Sequence, residues 1–188
     1  MSPRVIVYFP PTRKNPVETM DDEIVTIVDN DNNVVGAEKR SLMRRDGLPH
    51  RATYVLVFNS RGQVFVHKRT DTKDVFPGYY DVVAGGVVLS EESYAECARR
   101  ELQEELGIKG VPLRELFDFA FSDDHSQVFG RAYACTWDGP LELQLEEIAG
   151  GEFHPVPEVL ESGDRERYTP DGFYVLQRYV REHGSESG

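Results

Sequence analysis

Residues 86–108 read GVVLSEESYAECARRELQEELGI, and nine of them hold a fixed spacing. Gly86, Glu92, Arg100, Glu101, Leu102, Glu104, Glu105, Gly107 and Ile108 match G-x5-E-x7-R-E-U-x-E-E-x-G-U, where U is a bulky aliphatic residue. At ordinary residue frequencies the odds of that coincidence are on the order of one in ten million. The segment also dictates local structure. Ala95, Ala98, Leu102 and Leu106 form one apolar stripe at i, i+3, i+4 spacing, which predicts a helix over about 91–106 laid against a sheet. Ser90 is the expected N-cap, with Glu91 and Glu92 in the first turn, where the helix dipole favours negative charge. Ser93 stands three residues beyond Ser90, so no ideal capping box is expected. Gly107 supplies the C-terminal stop.

Away from the stripe, Glu101, Glu104 and Glu105 are related by i+3 and i+4 and share one helix face, so they can share one cation. Glu-rich helices often do no more than keep a surface wet. Here two features argue otherwise. Like charges at these spacings cost a few tenths of a kcal/mol per pair unless neutralised, and Arg100 can pair well with Glu104 but not with all three. Gly85 and Gly86, immediately upstream, permit a close backbone approach where a carbonyl can complete a metal shell. Hard carboxylate and carbonyl oxygens suit Mg²⁺, with Mn²⁺ as a substitute.

Composition bounds the partners. A net charge of -12 leaves no excess of Lys and Arg to replace counterions, which argues against sequence-independent binding to nucleic acid or an anionic membrane. A local basic cluster with a metal can still hold a small anion. No run approaches a membrane span, and the N-terminus lacks an apolar signal segment. Cys97 and Cys135 sit in no metal or redox spacing and read as reduced, inert thiols of a cytoplasmic protein.

The chain divides into an N-terminal arm or extra edge strand at 1–21, one domain at 22–182, and a disordered tail at 183–188. Strand-like runs at 23–29 and 34–40 flank the turn DNDNN, and runs at 53–59 and 63–69 flank SRGQ, predicting two hairpins. A short helix is expected at 41–47, a short buried strand at 80–84, further strands at 113–121, 128–137 and 152–156, and a helix at 170–181. The order fits an α/β protein with a mixed sheet and helices on both faces.

The box at 86–108 resembles that of the Nudix hydrolases, whose fold is an α/β/α sandwich with a central mixed β-sheet. The resemblance covers about 24–180 and implies metal-assisted attack of water on a diphosphate linkage. It implies Glu104 and Glu105 as metal ligands, Glu101 as a ligand or the general base, and the Gly85 carbonyl as a possible ligand. Arg100 and Glu92 would orient the carboxylates. The acidic loop LQLEEIAGGEFHPV resembles one that often supplies a further carboxylate, here Glu147 with Glu146 in reserve.

The stretch HRATYVLVFNSRGQVFVHKRTDTKDVFPGYYDVVAGG, 50–86, resembles the isopentenyl-diphosphate-isomerase-like branch, specifically its YfcD-like hydrolases. True isomerases of that branch carry an active-site Cys and, two residues on, a metal-binding His. This chain has Ala84 and Gly86 there, and neither can move a proton or bind a metal. His50 matches another metal-binding His of the isomerase motif, but a lone His at a strand start is more often structural. His67, His125 and His154 have no motif around them. Arg51, Lys68, Arg69 and Lys73 are candidates for phosphate contacts, Arg69 foremost. Phe76, Tyr79 and Tyr80 could stack on a base or plug the core edge. The expectation is a Mg²⁺-dependent hydrolase of a nucleoside diphosphate derivative or similar small metabolite, monomeric or homodimeric. The alternatives are an isomerase and a silent module that binds a metabolite or a protein.

Overall fold

The computed structural model describes residues 22–123, 127–162 and 165–184. At its centre lies β3 (His50–Phe58), a nine-residue strand whose side chains alternate between two buried clusters, as the period of two requires. Ala52, Tyr54, Leu56 and Phe58 join Phe173, Val175 and Leu176 of α4 (Pro170–His183) on one face. Val55 and Val57 join Ala98, Leu102 and Leu106 of α2 (Tyr94–Leu106) on the other.

One edge of β3 runs parallel to β7 (Gln127–Thr136), from His50↔Val128 to Phe58↔Thr136, and β7 pairs antiparallel with β6 (Arg114–Ser122). Parallel neighbours need a long crossover. Here that connection contains α2. β4 (Gln63–Arg69) returns from β3 and carries β8 (Ile148–Pro155) and the short β5 (Tyr80–Asp81), both antiparallel. The hairpin of β1 (Ile24–Val28) and β2 (Val34–Lys39) joins β3 through Ile27↔His50. α1 (Arg40–Asp46) buries Met43 against Val25 and Ile27 of β1 and ends at Gly47, in the left-handed region at φ 62°. The result is the expected mixed sheet between helices.

Several boundaries differ from the sequence reading: β3 starts at His50, β5 ends at Asp81 and β8 starts at Ile148, and the ends of the helices differ as well. α2 starts at Tyr94 and not near 91, because Leu89 still bridges to Val25 and the Ser90 N–H donates to the Ile24 carbonyl at 2.8 Å. Glu91 then turns at φ 65° outside the helix, so neither it nor Glu92 lies in the first turn. Ser93, not Ser90, is the N-cap, and it forms a full capping box with Glu96. After β8, α3 (Val156–Glu161) replaces the end of the expected strand, with Pro157 in its first turn. Finally, α4 continues through His183 and is capped by Gly184, so the assigned tail begins too early. The arm at 1–21, residues 185–188 and His125 lie outside the described residues.

Candidate active site

α2 carries its carboxylates to a cleft of about 330 Å³. Glu101, Glu104 and Glu105 line it from α2, Gly85 and Gly86 from the turn after β5, and Glu147 from the loop before β8. Gly85 has no room for a side chain, and a side chain at Gly86 would displace the Glu101 carboxylate. A Cβ at Gly85 would sit 2.0 Å from the Thr53 carbonyl oxygen, and one at Gly86 would sit 2.2 Å from Oε1 of Glu101. Gly107 ends α2 at φ 70°, with its N–H donating to the Gln103 carbonyl.

Arg100 binds more partners than its sequence neighbours suggested. Its Nε donates to Glu92 at 2.9 Å, and its Nη1 to Glu101 at 2.7 Å and to Glu104 at 3.1 Å. Glu92 also accepts the Leu89 N–H at 3.0 Å, which anchors the guanidinium to the turn ahead of the helix. Glu105 is outside this clamp. It is 6% exposed, and its Oε2 accepts the Gly85 N–H at 3.1 Å. Burial, then the charges of Glu101 and Glu147, push the Glu105 carboxyl well above the usual range. Burial and the Glu104 charge push Glu101 up to about 7, against the pull of Arg100. Glu147 goes the other way, since its contact with Lys73 at 2.6 Å outweighs burial and holds it low.

Basic side chains line the same cleft. Arg69 and Lys73 line the cleft, and so do Arg40 and Arg44 of α1, which the sequence reading missed. Arg40 pairs with Glu23 at 2.6 Å, and Arg44 with Asp74. Burial and the nearby Arg40 charge lower the Arg44 pKa, as expected where cations crowd together. Arg69 donates to the Val75 carbonyl at 3.0 Å and stands 3.6 Å from Asp81.

Two other phosphate candidates lie away from the cleft. Lys68 alternates with His67 and Arg69 along β4, so it projects to the opposite side. The Arg51 guanidinium binds Asn32 at 2.7 and 2.8 Å and lies over the ring of Tyr94, at the far end of α2 from the carboxylates. Glu146 is exposed and does not line the cleft. His50 is buried at its edge with Nδ1 against the Leu48 carbonyl at 3.0 Å. Phe76 lines the cleft and packs on Tyr79 at 5.3 Å. Cys97 and Cys135 are buried free thiols, raised by burial. His67, Asp81 and Asp171 also border the cleft and went unrecognised in the sequence.

A sheet flanked by helices, with a Glu-rich helix and a Gly-Gly turn at one cleft, defines a class. The NUDIX domain model matches residues 48–179, and the chain belongs to the Nudix family. It is thereby a hydrolase of phosphorus-containing acid anhydrides, a Nudix pyrophosphohydrolase. Within the family it stands with the YfcD-like proteins. It is 39% identical over 161 residues to the uncharacterized Nudix hydrolase YfcD of Escherichia coli, covering 86% of this chain and 88% of that one. An uncharacterized Nudix hydrolase of Yersinia pestis is 42% identical over 164 residues, with 87% and 89% covered. Among solved structures, DR0079 from Deinococcus radiodurans superposes with a TM-score of 0.72 at 27% identity, covering 83% of this chain and 98% of that one. No helix among the described residues is long and apolar enough to cross a membrane.

Proposed function

We propose that the protein is a Mg²⁺-dependent hydrolase that cleaves the diphosphate linkage of a nucleoside diphosphate derivative or a similar small metabolite. The observation that carries this is one cleft lined both by the acids of α2 with Glu147 and by Arg40, Arg44, Arg69 and Lys73. A diphosphate matches the basic groups, and a hard cation matches the carboxylates.

The donor set fits such an ion. Glu105, buried beside Glu101 and Glu147, is a carboxyl whose ionised form needs a neighbouring positive charge. Among the described residues no three acidic, His or Cys groups stand as a finished metal shell, because Glu101 and Glu104 turn to Arg100 and Glu147 to Lys73. Glu104, Glu105, Glu101 and Glu147 would hold the metal, with the Gly85 carbonyl beside them. When bound, the ion would offset phosphoryl charge and lower the pKa of a water.

The chain's own groups do the rest. Arg69 and Lys73, with the newly recognised Arg40 and Arg44, orient the phosphates. Arg100, held by Glu92, fixes the rotamers of Glu101 and Glu104. Glu101 serves either as a further ligand or, kept off the ion, as the general base that takes the proton of the attacking water. Ala84 is buried at 2% exposure and Gly86 packs on Glu101, so the positions that serve an isomerase offer no group for proton transfer. The expected compartment is cytoplasmic.

The test is mass spectrometry of a pooled diphosphate library containing nucleoside diphosphates, nucleotide sugars, coenzyme A and isopentenyl diphosphate. The pool is incubated with Mg²⁺ and either wild-type protein or Glu105→Gln. Wild-type-only conversion of a member into two phosphorylated fragments, or a monophosphate plus phosphate, is the expected result. Isomer formation, or binding without turnover, would overturn the reading in favour of an isomerase or a silent binding module.

A further inference from the structure

The cleft continues past Arg69, 3.6 Å from Asp81, to the start of α4, where its character changes. Tyr54, Asp81, Asp123, Thr169 and Asp171 line this end, flanked by apolar Phe121 and Val128. Tyr54 is 6% exposed and donates its hydroxyl proton to Asp171 Oδ2 at 2.9 Å. Asp81 is 7% exposed and accepts the N–H groups of Val82 and Val83 at 2.9 and 3.2 Å. Burial pushes both carboxyls up, and the charge of Asp81 pushes Asp171 up further. A hydrocarbon chain would strip water from two carboxylates and return no hydrogen bond.

A second observation points to a ligand with hydrogen-bonding atoms. His67 sits directly opposite Asp81 in the β4–β5 register, so both side chains leave the sheet on the same side. It borders the cleft, is 3% exposed, and its Nδ1 has no hydrogen-bond partner among the described residues. Burial, with the Arg69 and Lys73 charges, holds its pKa down to about 3, so the ring is neutral at physiological pH. A buried polar nitrogen without a partner is destabilising. Something that supplies a hydrogen bond at this end recovers that cost.

We infer that this end of the cleft recognises N–H donors on the group attached to the diphosphate, with Asp171 and Asp81 as the acceptors and His67 beside them. This deepens the hydrolase reading and rests on it. The shared chemistry is a set of N–H donors, found on the edge of an amino-bearing nucleobase or on an alkylammonium head. A carboxylate offers about four lone-pair positions, and the contacts to Tyr54, Val82, Val83 and Arg69 leave some of them for a ligand, so a ligand without donors desolvates them with no return.

Isothermal titration in Ca²⁺ tests the inference with three probes: guanosine 5′-diphosphate, 2-aminoethyl diphosphate and isopentenyl diphosphate. Wild-type protein should bind at least one donor-bearing probe roughly tenfold or more tightly than isopentenyl diphosphate, and the probe that wins names the source. Asp171→Asn and Asp81→Asn should each shrink that preference to within about threefold, because Asn removes the charge and replaces one of the two acceptor oxygens with a donor. Comparable affinities for all three probes, no detectable binding of any, or a preference that survives both substitutions would overturn the inference. Should either variant fail to fold, the wild-type ratio alone decides. Turnover with Mg²⁺ is scored separately. A donor preference without hydrolysis leaves the pocket standing and sinks the hydrolase reading, whereas hydrolysis without a donor preference does the reverse.

Discussion

α2 and α4 lie on opposite faces of one sheet and have 13 and 14 residues, yet they bury different things. α4 covers the sheet with Phe173, Val175 and Leu176, and Gly172 lets its first turn approach Asp81 and Thr169. α2 buries Cys97, Ala98, Leu102 and Leu106, and beside them the carboxyl of Glu105. Burying an acid among other acids is destabilising, and a helix selected for packing alone would carry an apolar residue there. The α4 face holds the fold, and the α2 face spends part of that stability to keep carboxylates close together. Beyond its first turn, where Asp171 borders the cleft, α4 only stabilises, whereas α2 both packs and acts along its length.

Substitution on each face tests this contrast. The largest effect is expected from Glu104→Gln or Glu105→Gln, each lowering kcat by several orders of magnitude while barely changing the metal-free melting temperature at pH 5, where the raised Glu105 carboxyl is protonated. Steady-state kinetics and calorimetry on the same samples check it. Near-normal turnover in both variants would sink the site assignment. Leu176→Ala should show the opposite signature. It removes a fully buried side chain from the α4 face, costing about 3 kcal/mol in urea unfolding while leaving kcat per folded molecule nearly unchanged.

A third test uses pH. Glu101 is raised to about 7, and Glu105 in the same direction, so the folded protein keeps protons that the unfolded chain releases above its ordinary range of about 4.3. Their contribution is fully present below that range and is lost as pH rises toward 7. The melting temperature in a chelator should therefore fall from pH 5 to pH 7, and less steeply in Glu105→Gln. An equal slope in the two proteins would show that these carboxyls do not set it. The smallest effect belongs to the start of α2. Ser93→Ala removes the capping box and should cost about 1 kcal/mol, whereas Ser90→Ala should cost less.

How much of this was legible in the chain depended on how local each cause was. The apolar stripe of α2, its stop at Gly107 and the strands of the two hairpins follow from spacing and turn residues alone. The start of α2 does not, because a bridge from Leu89 to Val25, 64 positions earlier, keeps Ser90 in the sheet. Lys68 could have been set aside from the sequence, since β-strand alternation lets either it or Arg69 face the cleft, not both. The same parity places His67 with Arg69. Arg40 and Arg44 carried no such signal, because the packing of α1 on β1 brings them to the cleft. Asp171 likewise looked like an ordinary first-turn acid of α4. Its meaning depends on Tyr54, 117 positions earlier.

The loops on either side of the cleft mouth are fastened to each other. The Thr70 N–H donates to the Glu147 carbonyl at 2.9 Å, its hydroxyl donates to the Glu146 carbonyl at 3.0 Å, and Lys73 reaches the Glu147 carboxylate. Neither loop can swing out alone without breaking all three ties. The rim should therefore breathe as one cooperative unit, and the amides of Thr70 and Ile148 should exchange with solvent deuterium at matched opening free energies.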